Sequence, residues 1–418
     1  MDFTFSIPQN VVFGEGALSK LPEVAAKLKK SKALIISGPH LEKIGLVAKC
    51  SGAMQTAGIE SVSFCRTEAN PSVQTVEAAA ALYIESKADF IVAFGGGSPL
   101  DVAKAVAVLA TYGGKITDYE GGGKVPGPVV PMIAIPTTAG TGSEVTAFSV
   151  ITDHSRNYKL TVASNYLLPV YAILDPQLIT TVPEKTAAAC GIDSMIHALE
   201  SYISKAASPF SEMFSLRALE LIGSSIRTYV KDRGNTNAAE KMMLGSLFAG
   251  IAFSHARLGD VHAMSHPLSA FFDIPHGVAN AILLPKVVEF NEVATENPDM
   301  KEKYYQIYRC VCQKPFSKED FLPSMLHIEL AALNKDLEIP NGIKEAGVEK
   351  ADFEKVVLQM TEDAMKSGNI SVNPRKTDRE DILKLYRQVF FKLSNDFKRC
   401  GHLQSNWRVV KLNSAIMH

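Results

Sequence analysis

Cysteine, net charge and long apolar runs are all scarce in this sequence, and each scarcity excludes a class of protein. Six cysteines are scattered over 418 residues without a CxxC pair, which argues against a disulfide scaffold and favours a reducing compartment. A formal net charge of -1 provides no basic field for nucleic acid or an anionic membrane. No run approaches the ~18 apolar residues of a membrane span, and the N-terminus does not resemble a signal peptide. We therefore expect a cytoplasmic protein without nucleic-acid or membrane partners.

The first 180 residues alternate short apolar runs with stretches of helical periodicity. Apolar runs predict strands at 32–37, 61–64, 89–94 and 131–136. Helical periodicity predicts helices at 42–57 and 73–87. Strands that are apolar throughout and are separated by helices indicate a parallel sheet that is covered on both faces.

The pattern becomes almost entirely helical after Pro183. Apolar spacing and helix-forming residues predict helices at 186–204, 209–230, 237–255 and 260–272. A chain of 418 residues is long for one hydrophobic core. We therefore predict an α/β nucleotide-binding domain over residues 1–180, followed by an all-helical domain that begins at 181.

A glycine-rich turn joins the strand at 89–94 to the helix that follows it. Its sequence is GGGSPLDVAK at 95–104, in which Pro99 is placed as the first helical residue and Ser98 as its cap. Glycines let the backbone approach an anion, and the free N–H groups of a helix start suit a pyrophosphate. The spacing differs from GxGxxG, so a tight turn without a ligand is the alternative. A second polar loop, PTTAGTGSEVT at 136–146, follows the next strand, at the sheet edge where ligands bind.

Four of the ten histidines fall in two short segments, with an aspartate nearby. Asp193 and His197 are four residues apart, His262 and His266 repeat that spacing, and His276 follows in a Pro-His-Gly turn. Residues four apart share one face of a helix. Aspartate with neutral imidazoles suits Fe(II), Zn(II) or Mn(II). Each histidine alone is more often a core or surface residue, and spacing does not tell which of the five residues is not a ligand.

Taken together, these segments resemble the iron-containing (group III) alcohol dehydrogenase family. The resemblance spans about residues 5–390. It rests on GGGSPLDVAK at 95–104, PTTAGTGSEVT at 136–146, CGIDSMIHALESYIS at 190–204 and GDVHAMSHPLSAFFDIPHGVANAILLP at 259–285. It implies a metal-dependent, NAD(P)-linked alcohol dehydrogenase or aldehyde reductase. The fold implied is an α/β nucleotide-binding domain with a parallel sheet plus an all-α metal-binding domain over 181–390, with the site in the cleft between them.

The resemblance also implies roles for individual residues. Fe²⁺, or alternatively Zn²⁺, would polarise the substrate oxygen while a hydride moves to or from the nicotinamide of NAD(H) or NADP(H). The implied metal ligands are Asp193, His197, His262 and His276. His266 would relay a proton, as an imidazole near its ordinary pKa can. The residues implied in coenzyme binding are Gly38, Gly95, Gly96, Gly97, Ser98, Asp101, Thr137, Thr138, Thr141, Ser143, Lys159, Leu178 and His266. Those expected to line the substrate pocket are Phe148, Phe253 and Arg257.

Two departures from the family pattern bear on specificity. Gly38 stands where NAD-preferring relatives usually have aspartate, which bonds the ribose and repels a 2′-phosphate. We therefore expect NADPH to be accepted, with NADH held by other groups as the alternative. Arg257 and Asp260 stand where many relatives have small or apolar residues. They either form an ion pair between helices, or Arg257 receives an anionic aldehyde that carries a sulfonate, phosphonate or carboxylate.

Residues 391–418 form an atypical C-terminal extension beyond the usual end of the family, and they contain Trp407, the only tryptophan.

The alternative within catalysis is a zinc polyol dehydrogenase of the glycerol type, although HAMSHPLSAFFDIPHG at 262–277 favours the iron type. A catalytically silent metal- or nucleotide-binding protein is the alternative from another class. The resemblance implies a homodimer or a larger homo-oligomer that acts on a small-molecule alcohol or aldehyde.

Overall fold

The computed structural model describes residues 10–156 and 158–390, which form an α/β part followed by a helical part. The strands are β1 (Asn10–Phe13), β2 (Lys32–Ile36), β3 (Glu60–Phe64), β4 (Phe90–Gly95), β5 (Gly121–Gly122), β6 (Met132–Pro136), β7 (Phe148–Asp153), β8 (Tyr158–Ala163) and β9 (Tyr171–Leu174). The helices of the α/β part are α1 (Leu21–Lys27), α2 (Pro39–Lys43), α3 (Leu46–Gln55), α4 (Val73–Glu85) and α5 (Gly97–Tyr112). The predicted extension at 391–418, with Trp407, lies outside the described residues.

The main sheet has six strands in the order β1-β9-β6-β4-β2-β3, and every pairing is parallel. Side chains alternate between its faces, as the two-residue period of a strand requires. In β2, Leu34 and Ile36 pack with α4 and α5, whereas Ala33 and Ile35 pack with α1 and α3. Both faces are therefore buried, which is why the central strands have uninterrupted apolar sequences.

The strand order reverses direction at β2, which lies between β3 and β4. A crevice opens at such a switch point, outside the carboxyl ends of the strands, and ligands bind there in doubly wound sheets. Gly38 follows β2 closely, and Gly96 and Gly97 follow β4 directly. The topology thus brings two predicted coenzyme segments to one crevice.

The four predicted strands, β2, β3, β4 and β6, are neighbours in the sheet, and the parallel α/β fold class is confirmed. The edge pair β1 and β9 and the antiparallel pair β7 and β8 were not predicted. Strand β1 is only four residues long and half exposed, so its apolar content does not distinguish it from a loop.

Three helix predictions are corrected. Helix α5 begins at Gly97 with Gly96 as its cap, so Pro99 is its third residue and not its first. The N–H groups of the first turn of a helix have no acceptor within the helix, so a proline there breaks no hydrogen bond. The helix predicted at 42–57 is divided by Gly45, at a φ of 80°. The helix predicted at 209–230 is interrupted at Ser224 and Ser225, whose hydroxyls both donate to the carbonyl oxygen of Leu221 and so compete with the backbone.

The helical part is built around one long buried helix. Its helices are α6 (Glu184–Ile203), α7 (Pro209–Gly223), α8 (Ile226–Lys231), α9 (Thr236–Ala256), α10 (Asp260–Phe272), α11 (His276–Asn291), α12 (Pro298–Cys312), α13 (Ser324–Asp336), α14 (Lys350–Met365) and α15 (Arg379–Phe390). Nearly every residue of α6 from Ala187 onward is buried, and α7, α9 and α11 pack around it. In the described part of the chain, no helix is both long and apolar enough to cross a bilayer.

Candidate metal and coenzyme site

Three helices bring four predicted ligands together. Helix α6 carries Asp193 and His197, α10 carries His262, and α11 begins with His276. From Asp193 Oδ1, the distances are 3.5 Å to His262 Nε2, 3.9 Å to His276 Nε2 and 4.0 Å to His197 Nε2. Ligand atoms of Asp193, His262 and His276 all lie within 4.8 Å of one another. The carboxylate oxygen is therefore the point on which the imidazoles converge.

The side chains of this cluster shift one another's pKa values. Burial alone would raise the pKa of Asp193, but His197, His276 and His262 outweigh it and hold that pKa below its usual value. Burial lowers the pKa of His197 to about 4, against the opposing effect of Asp193. Burial would also lower the pKa of His262, but hydrogen bonds with Asp193 and Glu200 raise it to about 9. The ionised carboxylate of Asp193 and the neutral imidazole of His197 are in the protonation states that metal ligands require, whereas His262 would have to release a proton when a metal binds.

Asn280, one turn after His276, lies at the centre of the cluster. Its amide nitrogen donates to Asp193 Oδ1 at 2.6 Å and lies 3.1 Å from His262 Nε2 and 3.2 Å from His276 Nε2. All three atoms therefore lie within hydrogen-bond distance of one donor nitrogen. One carboxylate and three imidazoles form a borderline ligand set that suits Fe²⁺ or Zn²⁺, so the residues fit the metal.

His266 lies beside this cluster. Its ring stacks on His276 at 5.2 Å between centroids and meets the edge of His262 at 6.3 Å. Burial, followed by the charges of His262 and Lys159, lowers the pKa of His266 to about 3. The expectation of an ordinary pKa at His266 is therefore wrong: the imidazole is neutral, and its lowered pKa makes it a weak base.

Two of the three predicted pocket residues lie next to the ligands. The ring of Phe253 stacks on His197 at 4.4 Å, and Phe148 is stacked on Phe253 at 6.5 Å. Arg257 is exposed at the end of α9, with its guanidinium against Gly368. The alternative of an ion pair between Arg257 and Asp260 is wrong, because no such pair forms among the described residues. Asp260 is instead fully buried and accepts a hydrogen bond from the Thr377 hydroxyl at 2.5 Å.

The two glycine-bearing loops pack against each other. A Cβ at Gly96 would lie 3.3 Å from Thr138 Oγ1, and a Cβ at Gly97 would lie 2.6 Å from Thr141 Cγ2. The Thr137 N–H donates to the carbonyl oxygen of Gly95 at 2.9 Å. Glycine at 96 and 97 therefore lets the start of α5 approach the second loop, and Ser98 lies in the first turn of that helix. The two loops predicted to bind the coenzyme therefore contact each other at the carboxyl ends of β4 and β6.

A buried lysine that the sequence prediction does not include holds the second loop in place. Lys104, on α5, donates to Ser143 Oγ at 2.8 Å, to Thr146 Oγ1 at 3.0 Å and to the carbonyl oxygen of Phe148 at 2.7 Å. Asp101 accepts from the Ser143 hydroxyl at 2.6 Å. Asp101 and Ser143 were predicted to contact the coenzyme, and the structure shows them bonded to each other beneath the loop.

Lys159 lies on β8, which packs against α10 of the helical part. Its ammonium donates to Asn70 Oδ1 at 2.8 Å, and Asn70 donates to Asp273 Oδ1, beyond the end of α10, at 3.0 Å. Burial lowers the pKa of Lys159 to about 8, against the opposing charges of Asp273 and Asp193. Lys159 is thus a cation between the α/β part and the helix that carries His262.

The remaining predicted coenzyme residues are Gly38, after β2, and Leu178, after β9. Gly38 caps the start of α2, and a Cβ there would meet only the Thr67 carbonyl oxygen, at 3.4 Å, which is an ordinary contact distance. The buried hydroxyls of Ser37 and Thr67 have no hydrogen-bond partner within the described residues. Leu178 is buried in the short turn after β9 and packs against the sheet.

Sequence comparisons agree with this geometry. Residues 8–176 match the family described as iron-containing alcohol dehydrogenase, and residues 187–390 match the C-terminal part of the Fe-containing alcohol dehydrogenase family. The 1,3-propanediol dehydrogenase of Citrobacter freundii is 37% identical over 93% of this chain and 99% of its own length. The chain belongs to the iron-containing alcohol dehydrogenase family.

Other enzymes resemble the chain over nearly its whole length. The NADPH-dependent butanol dehydrogenase of Clostridium saccharobutylicum is 34% identical over 94% of this chain and 99% of its own. The crystal structure of a 1,3-propanediol oxidoreductase has a TM-score of 0.86 at 36% identity, covering 93% of this chain and all of that one. Sulfoacetaldehyde reductase from Bifidobacterium kashiwanohense, solved with NAD+, has a TM-score of 0.83 at 28% identity, covering 95% and 100%.

As a member of the iron-containing alcohol dehydrogenase family, the chain is a metal-dependent, NAD(P)-linked oxidoreductase that acts on a small alcohol or aldehyde. Three residues near the site were not predicted: Lys104, Glu200 and Asn280. A signal exists for Glu200 and Asn280, since Glu200 is seven residues after Asp193 and Asn280 is four after His276, spacings that place them on the ligand faces of α6 and α11. Lys104 has only the weaker signal of a lysine inside the apolar sequence of α5.

Proposed function

We propose that Asp193, His197, His262 and His276 bind one Fe²⁺ or Zn²⁺ ion and that the site reduces a small aldehyde, or oxidises the alcohol, with a nicotinamide coenzyme. The convergence of three imidazoles on Asp193 Oδ1, from three helices, supports this assignment. When bound, the metal supplies Lewis acidity towards the substrate oxygen.

The protein's own residues would orient the reactants and move the proton. The loops at 95–98 and 137–141 would hold the coenzyme phosphates near the switch point, and Lys159 would add a positive charge above the cleft. Phe253 and Phe148 offer an apolar wall beside His197, which suits a small uncharged carbon chain. His266 would relay the proton of the alcohol, and because its pKa is low the neutral imidazole would pass that proton on and not hold it.

Metal removal and reconstitution test this proposal. Protein stripped with a chelator and reloaded without oxygen with Fe²⁺ or Zn²⁺ should regain turnover of small aldehydes. His262→Ala should lose bound metal and activity together, whereas His266→Ala should retain metal and show slower turnover. Equal metal content in the wild-type protein and His262→Ala would contradict the ligand assignment.

We also propose that the coenzyme site accepts NADPH. Gly38 places no carboxylate at the end of β2, so a 2′-phosphate would meet no negative charge from that residue. The matched test is Gly38→Asp, whose Cβ would make only an ordinary contact with Thr67 and which should lower kcat/KM for NADPH while sparing or improving that for NADH. A strong NADH preference in the wild-type protein would contradict the proposal.

An anionic aldehyde is the second candidate substrate, and the structural likeness to a sulfoacetaldehyde reductase favours it. Arg257 would be the cation that receives the anionic group. Its exposed position, against Gly368, would require the side chain to turn inward. If Arg257→Ala leaves KM for a sulfonate- or carboxylate-bearing aldehyde unchanged, Arg257 does not receive the anion.

We further propose that residues 1–180 form the coenzyme domain and residues 181–390 the metal domain, since β9 ends at Leu174 and α6 begins at Glu184. Limited proteolysis should cut first between these elements if they are separate domains.

We also propose a cytoplasmic homodimer or larger homo-oligomer. The free cysteines of the described residues are compatible with a reducing compartment. Light scattering on the purified protein would measure the oligomeric state.

A further inference from the structure

Glu200 is a buried carboxylate that contacts a proposed ligand on the side away from the metal cluster. It lies on α6, seven residues after Asp193, and is only 3% exposed. Its Oε2 atom lies 2.6 Å from His262 Nδ1, and its Oε1 atom accepts the N–H of Val261 at 2.8 Å. One carboxylate from α6 thus bonds both the ring of His262 and the backbone of the first turn of α10.

This contact determines which nitrogen of His262 can bind a metal. An ionised carboxylate can only accept hydrogen bonds, so Nδ1 must carry a proton to bond with it. In the neutral ring the lone pair then lies on Nε2, the atom 3.5 Å from Asp193 Oδ1. We propose that Glu200 is a positioning residue, which holds His262 in its metal-binding tautomer and fixes α10 against α6. The proposal rests on the ligand assignment made above.

The backbone at Gly259 approaches the Glu200 carboxylate closely. A Cβ at Gly259, just before α10, would lie 2.9 Å from Glu200 Oε1 and 3.0 Å from Asn373 Oδ1. The N-terminus of α10 therefore approaches the carboxylate more closely than a side chain at 259 would allow. The same helix start offers a matched carboxylate in Asp260, which is also fully buried but bonds Thr377 and not a proposed ligand.

Glutamine at position 200 would keep the shape of the side chain but not its two acceptors. If its oxygen accepts from Val261, its NH₂ group faces His262 Nδ1 and favours a proton on Nε2, which blocks the metal-binding atom. If the amide is reversed, its NH₂ group faces the Val261 N–H and a buried donor loses its partner. Either arrangement should weaken metal binding without removing a ligand.

Metal affinity, and not turnover, tests the proposal directly. Chelator-stripped wild-type protein, Glu200→Gln, Asp260→Asn and His262→Ala would be titrated with Zn²⁺ against a chromophoric competitor. Loss of such a carboxylate partner typically weakens metal binding by about 10- to 100-fold. We expect a loss of that size in Glu200→Gln, a much smaller change in Asp260→Asn and the largest loss in His262→Ala. Thermal unfolding of each metal-free variant would verify that it is folded.

The outcomes separate failure of this proposal from failure of the ligand assignment. Wild-type affinity in Glu200→Gln, with affinity lost in His262→Ala, overturns the role of Glu200 alone. Equal losses of zinc affinity in Glu200→Gln and Asp260→Asn also overturn the role of Glu200. Removal of any buried carboxylate near the start of α10 would then weaken zinc binding, whether or not it contacts His262. Wild-type affinity in His262→Ala overturns the ligand assignment itself.

A measurement on the unmodified protein covers the case in which Glu200→Gln does not fold. Zinc-loaded protein with ¹⁵N-labelled histidine should show a His262 ring whose Nδ1 carries a slowly exchanging proton and whose Nε2 carries none. Protonated Nε2 with metal-bound Nδ1 would overturn the proposal.

Discussion

Gly277 controls how closely helix α11 approaches helix α6, and a single methyl group there should disturb the metal cluster. Gly277 follows His276 directly, and a Cβ at this position would lie 2.7 Å from the carbonyl carbon of Ala189, and closer still to its oxygen. Ala189 is on α6, one turn before Asp193. The obstacle is backbone, which cannot rotate away as a side chain can.

The size of the effect follows from this distance. Carbon atoms in contact lie about 3.5–4.0 Å apart, so α11 would have to move by about 1 Å. Overpacking of this kind costs about 1–3 kcal/mol. The same movement would carry His276 away from Asp193, now 3.9 Å from it, whereas metal–ligand distances tolerate only about 0.2 Å. If the strain acts on metal binding, about 1–3 kcal/mol corresponds to roughly 5- to 150-fold weaker affinity.

The assay for Gly277→Ala is urea unfolding of the metal-free protein together with a Zn²⁺ titration. Gly52→Ala is the matched control, because Gly52 is an exposed residue within helix α3 and its added Cβ would meet nothing within 4 Å. That control should be more stable than the wild-type protein by about 0.5–1 kcal/mol and bind zinc normally. Unchanged stability and unchanged zinc affinity in Gly277→Ala would refute the argument from helix approach.

Two predictions concern the buried Lys104 and the half-buried Lys159. Lys104→Met leaves three oxygens around the second glycine-bearing loop without their donor; urea unfolding should show a loss of about 3–5 kcal/mol, and KM for the coenzyme should rise while metal content stays constant. For Lys159, burial lowers the pKa to about 8 from the ordinary 10.5, so the folded state binds fewer protons than the unfolded chain between these values. The contribution of Lys159 to stability therefore rises with pH across that window, whereas its positive charge is lost. Coenzyme affinity should accordingly fall as pH rises through about 8, and a fall that persists unchanged in Lys159→Met would show that another group is responsible.

Local patterns in the sequence were sufficient for the central strands and for the ligand spacing on single helices. Asp193 and His197 share one face of α6 whatever surrounds that helix, because four residues are close to one helical turn. Uninterrupted apolar strands likewise require a sheet covered on both faces. Short half-exposed strands such as β1 carry no such pattern, so they were not predicted.

Contacts between distant segments were not predictable in the same way. The pKa of His266 depends on burial and on His262 and Lys159, which the fold places around it, and the ordinary value expected from residue type was wrong. The partner of Asp260 is Thr377, 117 positions away along the chain, and not the neighbouring Arg257. A sequence shows which side chains carry charge, but not which of them the packing of helices leaves within hydrogen-bond distance.

The amino-acid sequence by itself determined the α/β and helical division, the family and the residue types at the metal cluster, because these depend on periodicity, on glycine positions and on motifs within single elements. Only the tertiary structure decided that α6, α10 and α11 direct their side chains to one carboxylate oxygen, that Asn280 lies at that meeting point and that Glu200 supports His262 from behind. The physical reason is that helix packing sets the distances between separate elements, and a change of about 1 Å separates a metal site from a row of buried histidines.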